Sequence, residues 1–163
     1  DFGVESGDAD ILKNINKRQS CEDIERAFSL VNKIDISPQA YLMVGNPGEN
    51  ESSIDNTIAL IGRIKPRMCG TNILWLLPGT KVYKDAMLNG FISDDYWLEN
   101  DDIPYNLQEH SLDELEMLRR RLMMGIAKEQ VGINFRINNY LKCLYYRYPF
   151  LSRFRSLVPR AFR

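Results

Sequence analysis

Cysteine is scarce. Cys21, Cys69 and Cys143 lie 48 and 74 residues apart in a chain of 163, so they form neither a C-x-x-C pair nor any local metal-ligand cluster. Three is also an odd number for a disulfide framework, and the thiols read as reduced and structural. No apolar run approaches the roughly 20 residues that span a bilayer, and the first residues lack a charged-then-apolar signal pattern, so a cytoplasmic protein is expected. Histidine occurs once, at His110, with no acid-base partner near it in sequence, and reads as non-catalytic. Acidic residues are missing from 131–163, where seven basic residues stand; residues 1–130 hold 14 basic and 22 acidic ones, a net charge of -8. The near-neutral total of -1 therefore hides two parts that face different surroundings. What remains is ordinary for a globular protein: 44% hydrophobic and 26% charged residues support one buried core, and the length fits one domain with a small appendage.

The order of elements follows from local patterns. The chain opens without methionine on Asp1-Phe2-Gly3-Val4, which reads as the end of a buried strand and as a piece of a longer protein, and Glu5-Ser6-Gly7-Asp8 then turns the chain into a polar loop. Ser20 caps a helix, with Asp23 three residues later as a weaker version of the capping box and Ile24, Ala27, Phe28 and Val31 forming its apolar stripe to about Asp35. Ala40-Tyr41-Leu42-Met43-Val44 is a continuous apolar run of strand length, which predicts burial on both faces as in a parallel sheet. Gly45-Asn46-Pro47-Gly48 ends it. A helix is expected from Ser52 to Ile64, closed by Pro66, then a third buried strand over Asn72–Leu77 and a short helix from Lys81 to Asn89, stopped by Gly90. Residues 92–109 should wrap the surface, and Ser111-Leu112-Asp113-Glu114 caps a helix reaching about Gln130.

Strand and helix alternate, so the expected fold class is α/β, with right-handed parallel crossovers. In such folds ligands bind beyond the carboxyl ends of the strands, where loops and helix N-termini present backbone amides. Three loops gather there: Gly3–Asp8, Gly45–Glu49 and Leu77–Thr80. Their glycines permit close backbone approach, and Glu5 and Ser6 can accept hydrogen bonds from ribose hydroxyls or an amine. A nucleotide-like ligand suits this edge. Glu5 and Ser6 also read as a strand-end turn and helix cap, Lys17 as a solvated lysine, and Gly48-Glu49 as a turn that starts the next helix. The carboxylates from Asp94 to Asp102 lack the ligand alternation of an EF-hand and read as a solvated acidic loop.

Gly3-Val4-Glu5-Ser6-Gly7, Ile15-Asn16-Lys17, Met43-Val44-Gly45-Asn46-Pro47-Gly48-Glu49 and Leu77-Pro78-Gly79-Thr80, in this order and spacing, resemble the C-terminal half of a radical S-adenosylmethionine (radical SAM) domain. The nearest likeness is to cobalamin-binding members such as the anaerobic oxidative cyclase of Mg-protoporphyrin monomethyl ester. The resemblance covers roughly residues 1–105 and implies a partial (β/α) barrel fragment of three parallel strands with flanking helices, followed by a helical extension over 106–163. It implies a parent enzyme that binds a 4Fe-4S cluster and S-adenosylmethionine (SAM) and generates a 5'-deoxyadenosyl radical, with cobalamin in a separate N-terminal domain. The cluster loop C-x-x-x-C-x-x-C and the Gly-Gly-Glu motif are not in this sequence, so the chain alone is expected to be inactive.

By the same resemblance, Glu5 or Ser6 contacts the ribose or methionine part of SAM, and Lys17 pairs with its carboxylate. Val44 and Gly45 lie beside adenine, and the backbone at Leu76 or Leu77 reads the adenine edge. Around Gly45 the sequence departs from the family's G-x-I-x-G-x-x-E pattern. The implied substrate is a small or lipid-like molecule, with a tetrapyrrole and a peptide-derived metabolite both open. A tRNA-modifying methylthiotransferase of the same superfamily is the alternative. From another class stands a non-catalytic α/β module docking through its tail. That tail, residues 131–163, interleaves seven cations with eight of the 17 aromatics. It reads as helices packing on the barrel or a missing domain, as a contact for an anionic membrane surface or an acidic partner, or as a nucleic-acid contact. The barrel's missing N-terminal half is the expected partner, and an uncovered edge near Asp1 predicts self-association.

Overall fold

The computed structural model describes residues 1–34 and 36–129; the readings for residues 131–163, including the membrane contact and Cys143, lie outside the described residues. Three strands, β1 (Phe2–Glu5), β2 (Gln39–Val44) and β3 (Met68–Ile73), form one parallel sheet in the order β1-β2-β3. Parallel neighbours need crossovers, supplied by α1 (Ala9–Asn14) with α2 (Cys21–Lys33) between β1 and β2, and by α3 (Glu51–Ile64) between β2 and β3. After β3 come α4 (Lys81–Leu88), the single-turn α5 (Tyr96–Glu99) and α6 (Leu112–Glu129). The α/β class and the parallel sheet are as expected from the sequence, and so, among the described residues of the extension, is the helix α6. Among the described residues, no helix is long and apolar enough to cross a membrane.

Local chemistry accounts for the helix ends. The Ser20 hydroxyl accepts a hydrogen bond from the Asp23 N–H and the Asp23 carboxylate accepts one from the Ser20 N–H, so the box is reciprocal. Ser111 and Glu114 do the same for α6. The cap of α3 is Asn50 rather than a residue at Ser52, because the Asn50 side chain takes the N–H groups of Ser52 and Ser53 while Ser53 Oγ receives the Asn50 N–H. Helix α1 was not anticipated: six residues with one buried apolar pair, Ile11-Leu12, show no period, and only the Asp8 cap marks its start.

Among the described residues, the long helices α2, α3 and α6 cover one face of the sheet. Val4, Ala40, Leu42, Val44, Cys69 and Ile73 meet Phe28 of α2, Ile54 and Ile61 of α3, and Leu115, Leu122 and Ile126 of α6 in a continuous core. Burying these side chains is the main stabilising term, at about 25 cal/mol per Å² of apolar surface. Alternation along the strands sends Tyr41 and Met68 to the other face, where both are exposed. The continuous apolar run of β2 is thus buried on one face among the described residues, not on both as its hydropathy predicts. The third strand also departs from expectation. Pairing runs from Gln39 opposite Met68 to Val44 opposite Ile73, so the strand is Met68–Ile73 and not Asn72–Leu77. Two non-local contacts decide this: Arg67 N–H donates to Pro38 O at 2.8 Å, and the Tyr41 ring lies over Gly70, where a Cβ would stand 2.8 Å from Tyr41 Cδ1. The chain leaves the sheet after Leu74 N–H donates to Val44 O, and Trp75 then bridges antiparallel to Tyr105.

Candidate functional site

The carboxyl ends of β1, β2 and β3 lie along one edge, as parallel pairing requires. At the end of β1 the pairing slips by one residue between Gly3 and Glu5, and Glu5 takes φ +65°, a left-handed conformation that a non-glycine residue holds at a cost. Its side chain folds back over Gly3, whose Cβ would lie 2.6 Å from Glu5 Oε1. Lys17 comes to the same place from the turn after α1. Asn16 at φ +55° and Arg18 at φ +52° bracket it, and its N–H donates to Leu12 O. Lys17 Nζ then lies 3.2 Å from Glu5 Oε1, with the two side chains 25% and 21% exposed. The missing side chain at Gly3 makes the room in which this ammonium and carboxylate meet.

Ser6 is placed differently. It is buried, its hydroxyl 3.3 Å from Thr57 Oγ1 and accepting from the Asp8 N–H, while the Gly7 N–H donates to Thr57 Oγ1 at 2.9 Å. These bonds fasten the β1 loop to α3. The β2 loop is held from within and from outside. Buried Glu49 accepts from the Gly45 N–H at 2.6 Å and from Asn46 Nδ2 at 3.3 Å. Burial pushes its carboxyl pKa up, and these two donors offset part of that rise. From 61 residues away, Asn106 Nδ2 donates to Gly45 O at 2.9 Å, Glu109 accepts from the Gly48 N–H at 2.7 Å, and His110 Nε2 lies 2.8 Å from Glu49 O.

Sequence reasoning named neither Asn106 nor Glu109 for this edge, and it gave His110 no partner. A buried asparagine inside a polar stretch carries no local mark that separates it from a solvated one. Val44 points into the core, Gly45 sits at φ +92° with its open side against Leu115, and Leu76 is buried beside Tyr83 and Ala86. Leu77 is exposed, and both Leu76 and Leu77 lie beyond the parallel strand. The structure therefore brings Glu5 and Lys17 together, leaves Val44 and Gly45 at the carboxyl end of β2, carries Leu76 and Leu77 past the end of β3, and turns Ser6 inward. A cleft of about 440 Å³ adjoins the Lys17 turn, lined by Leu12, Lys13, Asn16, Arg18 and the first turn of α2; neither Glu5 nor Lys17 lines it.

What this edge can do follows from its charges. A carboxylate accepting from an amine, 3.2 Å from an ammonium that can pair with a carboxylate, is complementary to the α-amino acid end of a ligand. An iron-sulfur cluster does not fit the described residues, which hold no group of three or more His, Cys, Asp or Glu side chains able to take a metal. Cys21 donates to Gly7 O with its thiol pKa pushed up by burial, and Cys69 lies in the core.

No protein-family model matches this chain. An uncharacterized protein of Methanocaldococcus jannaschii is 33% identical over 64 residues, which are 39% of this chain and 13% of that protein. Two probable threonylcarbamoyladenosine tRNA methylthiotransferases, from Pyrococcus abyssi and Pyrococcus horikoshii, are 31% and 28% identical over 91 residues, or 55% of this chain and 21% of each relative. The chain thus spans about a fifth or less of the length of these curated relatives. Its likeness to the methylthiotransferases is distant.

Proposed function

We propose that this chain forms the C-terminal part of the catalytic barrel of a radical SAM enzyme of the tRNA methylthiotransferase type. The observation that carries the reading is the Glu5–Lys17 pair on the carboxyl edge of a parallel sheet. The two methylthiotransferase relatives support it and favour this alternative over the oxidative cyclase, so cobalamin has no part in the proposal. The parent enzyme would hold SAM and a 4Fe-4S cluster, the cluster on residues outside this chain, and together they would supply reductive cleavage of SAM.

The role of this chain is to bind and orient. Lys17 would exchange Glu5 for the ligand carboxylate, and Glu5 would turn its freed oxygen to the ligand ammonium or to ribose hydroxyls. Both groups are already partly desolvated, so the exchange replaces one charge-assisted contact by two. Gly3 leaves the space, the Ser6–Thr57 contact holds the β1 loop, and the backbone at Val44–Gly45 and Leu76–Leu77 would line the adenine side. RNA as substrate comes to this proposal from the relatives' names alone.

The test uses the full-length parent purified without oxygen, reading cluster content, SAM affinity by equilibrium dialysis, and deoxyadenosine formed after reduction. Lys17→Ala should weaken SAM binding by about tenfold or more, roughly the 1.4 kcal/mol of one charge-assisted bond, and Lys17→Arg should restore part of it. A well-folded parent that neither binds SAM nor forms deoxyadenosine would sink the reading.

A further inference from the structure

Beyond β3 the chain forms a two-stranded antiparallel ribbon with one side in the fold and one in solvent. Trp75 bridges Tyr105, Leu76 N–H donates to Pro104 O at 2.8 Å, and Asn106 N–H donates to Leu74 O at 2.9 Å. Alternation turns Leu76 and Asn106 inward, where both are buried, and puts Trp75, Leu77, Ile103 and Tyr105 together on the other side. These four are 47%, 42%, 38% and 36% exposed. Large apolar side chains grouped on one exposed face mark an interaction surface.

Charge selects the partner. Residues 85–118, which supply one strand of the ribbon, contain ten acidic residues and no lysine or arginine. Asp85 and Glu116 are paired with Lys81 and Arg119, and the exposed Asp101 and Asp102, next to Ile103 in the chain, form the acidic rim of the ribbon. A nucleic acid or an anionic bilayer would be repelled there, and so would the same face of a second copy. The matching partner is a cationic polypeptide that carries aromatic side chains. This chain contains one: residues 131–163 hold seven basic residues, six of them arginine, with eight aromatics and no acidic residue. Arginine stacks on Trp and Tyr rings and pairs with carboxylates, so both halves of the surface have counterparts in that segment. Reach is sufficient, because the 18 residues of α6 rise about 27 Å from the cap at Ser111, close behind the ribbon, and more than 30 residues follow.

We propose that the exposed apolar face of the ribbon, with its acidic rim, is the docking site of residues 131–163 of the same chain. The docking is electrostatic at the rim and aromatic at the centre, so salt and surface substitutions should release it. Limited trypsin digestion of the full chain tests this, with cleavage after Arg147, Arg153 and Arg155 read by mass spectrometry and cleavage after Lys33 as the internal control. Cleavage in 131–163 should rise at least about fivefold in Trp75→Ser/Leu77→Ser and in about 0.5 M salt, while the control site keeps its rate. Glu99→Gln/Asp101→Asn removes rim charge without touching the core and should give a smaller rise in the same sites. Equal cleavage in wild type and both variants would overturn the proposal. Protection that grows with protein concentration would overturn the intrachain form and assign the site to a second copy. Phosphatidylserine vesicles that bind wild type as well as Trp75→Ser/Leu77→Ser would also overturn it, since a docked segment must be less available to lipid.

Discussion

Gly7→Ala should be among the costliest single-methyl changes in this protein, and its magnitude can be worked from the contacts. An added Cβ would stand 2.7 Å from Thr57 Cα, 2.8 Å from Leu60 Cβ and 2.9 Å from Asn56 O. Ordinary carbon separations are about 3.5–4.0 Å, and two of these neighbours are backbone atoms of α3, so the β1 loop and the helix must separate by nearly 1 Å. Overpacking of this kind costs about 1–3 kcal/mol, and here no flexible side-chain end can absorb it. The same separation weakens the buried bond from Gly7 N–H to Thr57 Oγ1, worth about 1–3 kcal/mol when its donor is left unmet. The two terms share one displacement and are not fully additive, so about 3–4 kcal/mol is expected. Thr57→Val isolates the second part by removing the acceptor alone, at about 1–3 kcal/mol. Gly79→Ala is the contrasting case: φ is +87°, but nothing lies within 4 Å, so only the left-handed backbone cost of about 1–2 kcal/mol applies. Urea unfolding followed by tryptophan fluorescence gives all three values. A loss below about 1 kcal/mol for Gly7→Ala, or a larger loss for Gly79→Ala, would refute the close approach of β1 loop and α3.

Two further perturbations test the electrostatics. Burial raises the folded-state pKa of Glu49, so its contribution to stability is fully present below the ordinary carboxylate value and is lost as pH rises through the raised one. The unfolding midpoint of wild type should therefore fall relative to Glu49→Gln as pH rises above the ordinary carboxylate value of about 4.3, and a difference that stays constant with pH would contradict the assignment. Arg121 joins α6 to α3, with Nε and Nη2 on Asp55 at 2.9 and 2.7 Å and Nη1 on Glu51 at 3.0 Å, and it holds the Asp55 carboxyl pKa below its usual value. A depressed pKa contributes above the ordinary carboxylate value and is lost as pH falls. Arg121→Ala should lower the melting temperature at neutral pH and low salt, with the difference shrinking in acid and in about 1 M salt. An unchanged low-salt melting temperature would show the bridge to be energetically idle.

Local physics was legible where cause and effect lie within a few residues. The Ser20–Asp23 and Ser111–Glu114 boxes, the apolar run of β2 and the stop at Gly90 were each readable because a cap, a strand face or a helix end is decided by neighbours in the chain. The candidate edge was legible in part: Glu5 and Lys17 stand out by type and position, and the loops by their glycines. Three features were not. The register of β3 depends on Pro38 and Tyr41, the short α1 has no period to detect, and the β2 loop is held by Asn106, Glu109 and His110.

The amino-acid sequence by itself determined the alternation of strands and helices, the helix caps and the charge division between residues 1–130 and 131–163, because propensity, capping and net charge are local or summed quantities. Only the tertiary structure decided that Glu5 meets Lys17 over Gly3, that Ser6 turns inward, and that Trp75, Leu77, Ile103 and Tyr105 share an exposed face. Each of those depends on which distant segments are brought within a few ångströms, and such proximity is set by packing of the whole core.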